Sequence, residues 1–91
     1  MADSNSLTPF ELEVLIACCD VCNYSTNCHQ PIEKIVRRID KSAGKLVKRV
    51  VKMLVSKGFI IKHPTSGGMT YEPSKEAIML VRGLQGDFEI I

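Results

Sequence analysis

The chain has 91 residues, 45% of them apolar, and a net charge of +2. That length fits one domain, the apolar share excludes a disordered chain, and no apolar run reaches the roughly 18 residues of a membrane span. The opening "MADSNS" lacks the basic and then apolar regions of a secretory leader, so an intracellular, cytoplasmic protein with reduced cysteines is expected.

Thr8-Pro9-Phe10-Glu11 reads as a capping box at the start of the first helix, with Pro9 at the first helical position and Leu7 and Leu12 placed for a hydrophobic staple. The following "FELEVLIACCDVC" is apolar on nearly every side, so this helix needs cover on more than one face. A second subunit is the expected source of part of that cover. Met79 and the tail residues Phe88, Ile90 and Ile91 point to the same homodimer.

"NYSTNCHQ" (23–30) reads as a polar loop, and Pro31 opens a second helix with Ile32, Ile35, Val36 and Ile39 on one stripe. Lys34, Arg37 and Arg38 face outward from it. "DKSAG" (40–44) is a short break, with Ser42 the expected cap of a third helix over about 43–57, which Gly58 ends. "FIIKH" and "MTYE" are β-prone runs around a "PTSGG" tip, giving a hairpin over about 59–73. Ser74 caps a last helix over about 74–84.

The charge is unevenly placed. Residues 1–31 carry −4, residues 32–63 carry +8 from ten basic and two acidic side chains, and residues 64–91 carry −2. On the third helix Lys45, Lys48, Arg49 and Lys52 recur at i, i+3, i+4 and i+7. At 100° per residue they share an arc about 100° wide, with Ala43, Leu46, Val47, Val50, Val51, Met53 and Leu54 assigned to the opposite side. A solvated face usually mixes signs, whereas this one has no acidic residue. A major groove admits one α-helix and is walled by phosphates, so such a face suits duplex DNA. The candidate contacts are Lys34, Arg37, Arg38, Lys41, Ser42, Lys45, Lys48, Arg49 and Lys52 on the helices, and Lys62, His63, Thr65 and Ser66 on the hairpin. Arg49 is the expected base reader, because its fork can pair with a guanine edge.

From about residue 32 to 84 the chain resembles the winged helix-turn-helix regulators of the MarR and ArsR type. The resemblance is carried by "IVRRIDKSAGKLVKRVVKMLVSKGFIIKH", the hairpin, and "YEPSKEAIMLV", with the Lys57-Gly58-Phe59-Ile60 exit and the Tyr71-to-Ser74 entry to the last helix. It implies a mainly α fold with a β-hairpin wing, a nucleoid-associated transcriptional regulator, and double-stranded DNA as partner. An interaction module within a larger nucleic-acid-processing assembly is the alternative. The tip "HPTSGG" has no Arg, which leaves this hairpin suited to positioning more than to base reading.

Cys18, Cys19, Cys22, Cys28 and His29 lie close together in sequence, but Cys19-x-x-Cys22 is a lone pair with no second C-x-x-C to complete a metal-binding arrangement. Core packing is the expectation for these cysteines, with a Cys22–Cys28 disulfide or a metal as alternatives. No metal and no cofactor is expected. No phosphate-binding glycine loop and no nucleophile-base spacing is present, so an enzyme is not expected.

Overall fold

The computed structural model describes residues 7–89, the side chains of 85–89 excepted. The elements are α1 (Pro9–Val21), β1 (Gln30–Pro31), α2 (Ile32–Ile39), a 3-10 turn (Lys41–Ala43), α3 (Gly44–Ser56), β2 (Ile60–Thr65), β3 (Gly68–Pro73) and α4 (Lys75–Glu89). The chain is thus mainly helical, with a small antiparallel three-stranded sheet in the order β1-β3-β2. Among the described residues no helix is long and apolar enough to cross a membrane.

The capping box at α1 forms as the sequence implies. The Glu11 N–H donates to the Thr8 hydroxyl at 3.2 Å, and the Thr8 N–H donates to the Glu11 carboxylate at 2.9 Å. A further partner comes from far along the chain: the Lys57 ammonium, just past α3, donates to the same carboxylate at 3.1 Å. Glu11 is therefore a buried acid that ties the start of α1 to the end of α3. The Thr8 backbone N–H, helped by Lys57, holds its carboxyl below the usual range.

A depressed native pKa means the contribution is complete above the ordinary value of 4.5 and disappears as pH falls through the native value. Glu11→Gln keeps a capping side chain but has no charge to lose. The stability gap between the natural chain and Glu11→Gln should therefore be largest near neutral pH and narrow as pH falls below 4.5. Thermal melts of both proteins across that range check this; a gap that does not narrow would contradict it.

α1 ends without a glycine. Asn23 and Tyr24 take left-handed φ values of 52° and 58°, a costly backbone for tyrosine. Local bonds hold it: the Tyr24 N–H donates to the Cys19 carbonyl at 2.8 Å, its hydroxyl donates to Asp20 at 2.9 Å, and Arg82 of α4 sits 5.1 Å from its ring centroid. At the end of α3 the left-handed position is Gly58, with φ +85° and open space around it, so the backbone angle is what requires glycine. The Phe59 N–H returns to the Leu54 carbonyl and the Gly58 N–H to the Val55 carbonyl, a Schellman closure that turns Phe59 into the core.

α1 is the centre of the fold. Val14, Leu15, Ala17, Cys18 and Cys19 pack with Ile35 and Val36 of α2, Val47, Val50, Val51 and Leu54 of α3, Phe59 and Ile60, and Ala77, Ile78 and Val81 of α4. α2, α3, α4 and β3 all pack against it, so most of its apolar surface is covered within one chain, with Phe10, Leu12, Ile16 and Val21 left half-buried. The part of α1 that a second subunit would have to cover is reduced to these half-buried residues. Ile90 and Ile91 lie outside the described residues, and Phe88 outside the described side chains.

Four local expectations need correction. Ser42 does not cap α3: the Asp40 carboxylate accepts from the Ser42 N–H at 3.0 Å, the intervening turn is 3-10, and α3 begins after Ala43 with no side-chain cap. The stretch 23–30 is not loop throughout, because Gln30 pairs with Tyr71 and Pro31 with Thr70 to form β1. Leu46 and Met53 are not on the buried side of α3; they are 47% and 43% exposed. The last helix does not stop near residue 84 but runs to Glu89, while Ser74 caps it as expected, accepting from the Ala77 N–H at 3.1 Å.

Candidate nucleic-acid interface

α3 offers its basic residues because its other side is fully used. Val47, Val50, Val51 and Leu54 are buried, and Lys45, Lys48, Arg49 and Lys52 are all exposed. The distribution of these cations over the surface is continuous. Lys34, Arg37 and Arg38 share a shallow cleft with Val21 along α2. Arg37 joins Lys41 and Lys48 in the cleft between α2 and α3. Lys41, Ser42, Lys45 and Lys48 surround the start of α3. Lys48, Arg49 and Lys52 rim an open groove of about 560 Å³ whose floor is Ile32 and Tyr71.

Lys48 belongs to three of these clefts, so it links the α2 side, the helix start and the groove beside the sheet. Tyr71 carries the band onto the hairpin, since its register partner across the β2–β3 pair is Lys62 on the same face. The start of α3 adds to the field. Its first N–H groups have no side-chain cap and lie at the Lys41–Lys45 cleft, where the positive end of the helix dipole favours an anion. Nearby acids are few: Glu33 lines the cleft between α2 and α3, and Asp40 is engaged by the Ser42 N–H, which holds its carboxyl below the usual range.

Other candidate residues are turned to different uses. Arg38 pairs with Asp20 at 3.1 Å, which ties α2 to α1 and offsets part of its charge. His63 faces away from the Lys62 side: its Nε2 pairs with the buried Glu72 carboxylate, and its ring stacks on His29 with centroids 5.0 Å apart. The Thr70 hydroxyl has a single proton, donated to the His63 carbonyl at 2.7 Å, so His29 Nδ1, 3.0 Å away, is the donor to Thr70. The Thr65 hydroxyl closes the hairpin tip by donating to the Gly68 carbonyl at 2.7 Å, beside a Gly68 φ of +128°. Of the hairpin candidates, Lys62 and Ser66 are left exposed and outward.

The groove floor was not foreseeable as a site. Ile32 read as a core position and Tyr71 as part of a strand, and only the pairing of β1 with β3 brings them together beneath Lys48 and Lys52.

The cysteines are all free thiols. Cys18, Cys19 and Cys22 are buried, and burial pushes their pKa values up, that of Cys19 to about 12. The Cys22 thiol donates to the Cys28 carbonyl at 2.9 Å. Cys28 alone is half-exposed. A thiol reagent at about pH 8 should therefore add to one cysteine promptly and to the other three only on unfolding. Intact-mass measurement of the native protein reads this, and rapid addition at three or four sites would contradict it. Among the described residues no group of three or more His, Cys, Asp or Glu could hold a metal ion.

No protein-family model matches this chain, and no curated protein or solved structure matches it.

Proposed function

We propose that this chain is a winged-helix DNA-binding protein, not an enzyme, acting as a transcriptional regulator on duplex DNA. In this reading α3 enters the major groove, α2 crosses the phosphate backbone, and the β2–β3 hairpin is the wing. The observation that carries it is the continuous basic band from Lys34 to Lys52, with Lys48 common to three of its clefts. The order α1-β1-α2-α3-β2-β3 with β1 on β3 supports the winged-helix reading. A homodimer belongs to the same proposal on narrower support: Met79 of α4 is 64% exposed, and a second copy there would set two α3 helices on one face of a duplex.

A salt titration of duplex binding tests it. Five or more neutralised phosphates give a log–log slope of about −4.5 or steeper. Binding that ignores salt would remove the DNA reading and favour an interaction module. Sedimentation showing a monomer at tens of micromolar would remove the dimer alone.

A further inference from the structure

The outward surface of α3 is more than its cations. Lys45, Leu46, Arg49, Lys52 and Met53 stand at i, i+1, i+4, i+7 and i+8, and all five are exposed. At 100° per residue they fall in one arc of about 120° centred on Arg49. Lys45 and Lys52 form one margin, and Leu46 and Met53 form the other. Arg49 and Lys52 also line the groove over Tyr71, and Lys48 shares it but stands further round, lining the cleft between α2 and α3 as well. Two large apolar side chains, 47% and 43% exposed, therefore run along one side of an arginine, about a turn before it and a turn after it, on the most basic element of the chain.

Whatever covers this stripe has to meet cations and hydrocarbon together. Charge complementarity selects a polyanion, since Lys45, Arg49 and Lys52 share the stripe with no acid among them. A duplex major groove supplies both partners. Its walls are phosphates, and the 5-methyl group of thymine is the hydrocarbon on its base edges. Leu46 and Met53 are seven residues apart, about 10.5 Å along the helix, which matches about three base-pair steps of 3.4 Å. Met53 has the rotamer freedom to follow a methyl group that is not ideally placed.

We propose that Leu46 and Met53 read thymine through its 5-methyl group, on sites about three base pairs apart on either side of the Arg49 contact. This rests on the DNA-binding reading and assigns it a source of sequence preference. The preference is for thymine-containing sites, read by apolar contact, in a helix that has no Asn or Gln to read adenine.

The test uses the full chain and two duplexes of one mixed sequence, one with thymine and one with deoxyuridine throughout, which differ only in the groove methyls. Fluorescence anisotropy at fixed salt should show the thymine duplex bound about three- to tenfold tighter, as expected for one or two lost apolar base contacts. A Leu46→Ala, Met53→Ala double variant should bind both duplexes alike with an unchanged salt slope. Both positions are exposed and Ala is the best helix former, so it should fold, as its melting curve will report.

Equal binding of the two duplexes by the natural chain, with a steep salt slope, would overturn the methyl reading and leave the DNA reading standing. A thymine preference that survives in the double variant would also overturn it, assigning the preference to duplex shape. So would a dimer that the double variant converts to monomer without changing the duplex ratio, since a second copy would then be what covers Leu46 and Met53. Absence of any salt-dependent duplex binding would instead bring down the DNA-binding reading, and this inference with it.

Discussion

A chain carrying Lys45→Ala, Arg49→Ala and Lys52→Ala together is expected to fold normally and to lose duplex affinity by roughly a hundredfold or more near 0.1 M salt. The fold should survive because all three side chains are exposed, and none has a hydrogen-bond partner among the described residues. Alanine also favours the helix at each position. Binding should suffer because each cation facing a phosphate releases counterions on contact, so removing three flattens the log–log salt slope by up to about three units. The loss should not be evenly divided. If Arg49 pairs with a guanine edge, its single replacement costs about 1–3 kcal/mol at one base pair and relaxes preference there. Lys45 and Lys52 singles should instead weaken all duplexes alike. A triple variant with unchanged affinity and slope would reduce the basic stripe to a solubility device.

Arg38 makes a useful contrast. Its guanidinium already pairs with Asp20, so Arg38→Ala should alter duplex affinity less than any cation of α3 does. Its exposure makes the pair itself a weak contributor to stability.

What the sequence made legible was local chemistry. The Thr8–Glu11 box, the Gly58 closure and the Ser74 cap each depend on residues three to five apart, and each forms where those residues stand. β1 escaped because two residues are too few to show alternation, and its existence depends on β3 some 40 positions later. The extension of α4 escaped because Gly83 and Gly86 each weaken a helix by about 1 kcal/mol relative to Ala, so "GLQG" resembles an ending. The Glu11–Lys57 pair joins residues 46 positions apart, and no local pattern announces it.

The misplacement of Leu46 and Met53 has a different origin. Hydrophobicity says that a side chain gains by burial, not that the fold supplies a neighbour to bury it. Both sit between the buried arc of α3 and its basic one, and sorting by residue type alone moved them to the wrong side. For the same reason α1 suggested a second subunit. Its apolar residues reported a need for cover on several sides, and α2, α3, α4 and β3 meet most of that need within the chain.

The two sides of α3 can be separated by one position. Leu54→Lys is expected to unfold the chain, whereas Met53→Lys, which adds the same charge to the neighbouring residue, is expected to leave it folded. Leu54 is fully buried near the middle of the arc that holds Val47, Val50 and Val51, and its turn closes against Phe59. An ammonium there lies far from either margin of the buried arc, so it is poorly placed to reach water. Burying it unpaired costs several kcal/mol, and the lost leucine burial adds about 1.5–3 kcal/mol. A chain of this size has a total stability of about 5–14 kcal/mol at the usual 0.05–0.15 kcal/mol per residue, so most or all of it would go. Far-UV circular dichroism and a thermal melt would show this as a lost or much-lowered transition, and duplex binding should fail despite the added cation. Met53→Lys places its charge in water beside Arg49 and should steepen the salt slope by up to one unit. If Leu54→Lys melts like the natural chain, the packing assigned to α3 is wrong, and the basic stripe defined against that packing is wrong with it.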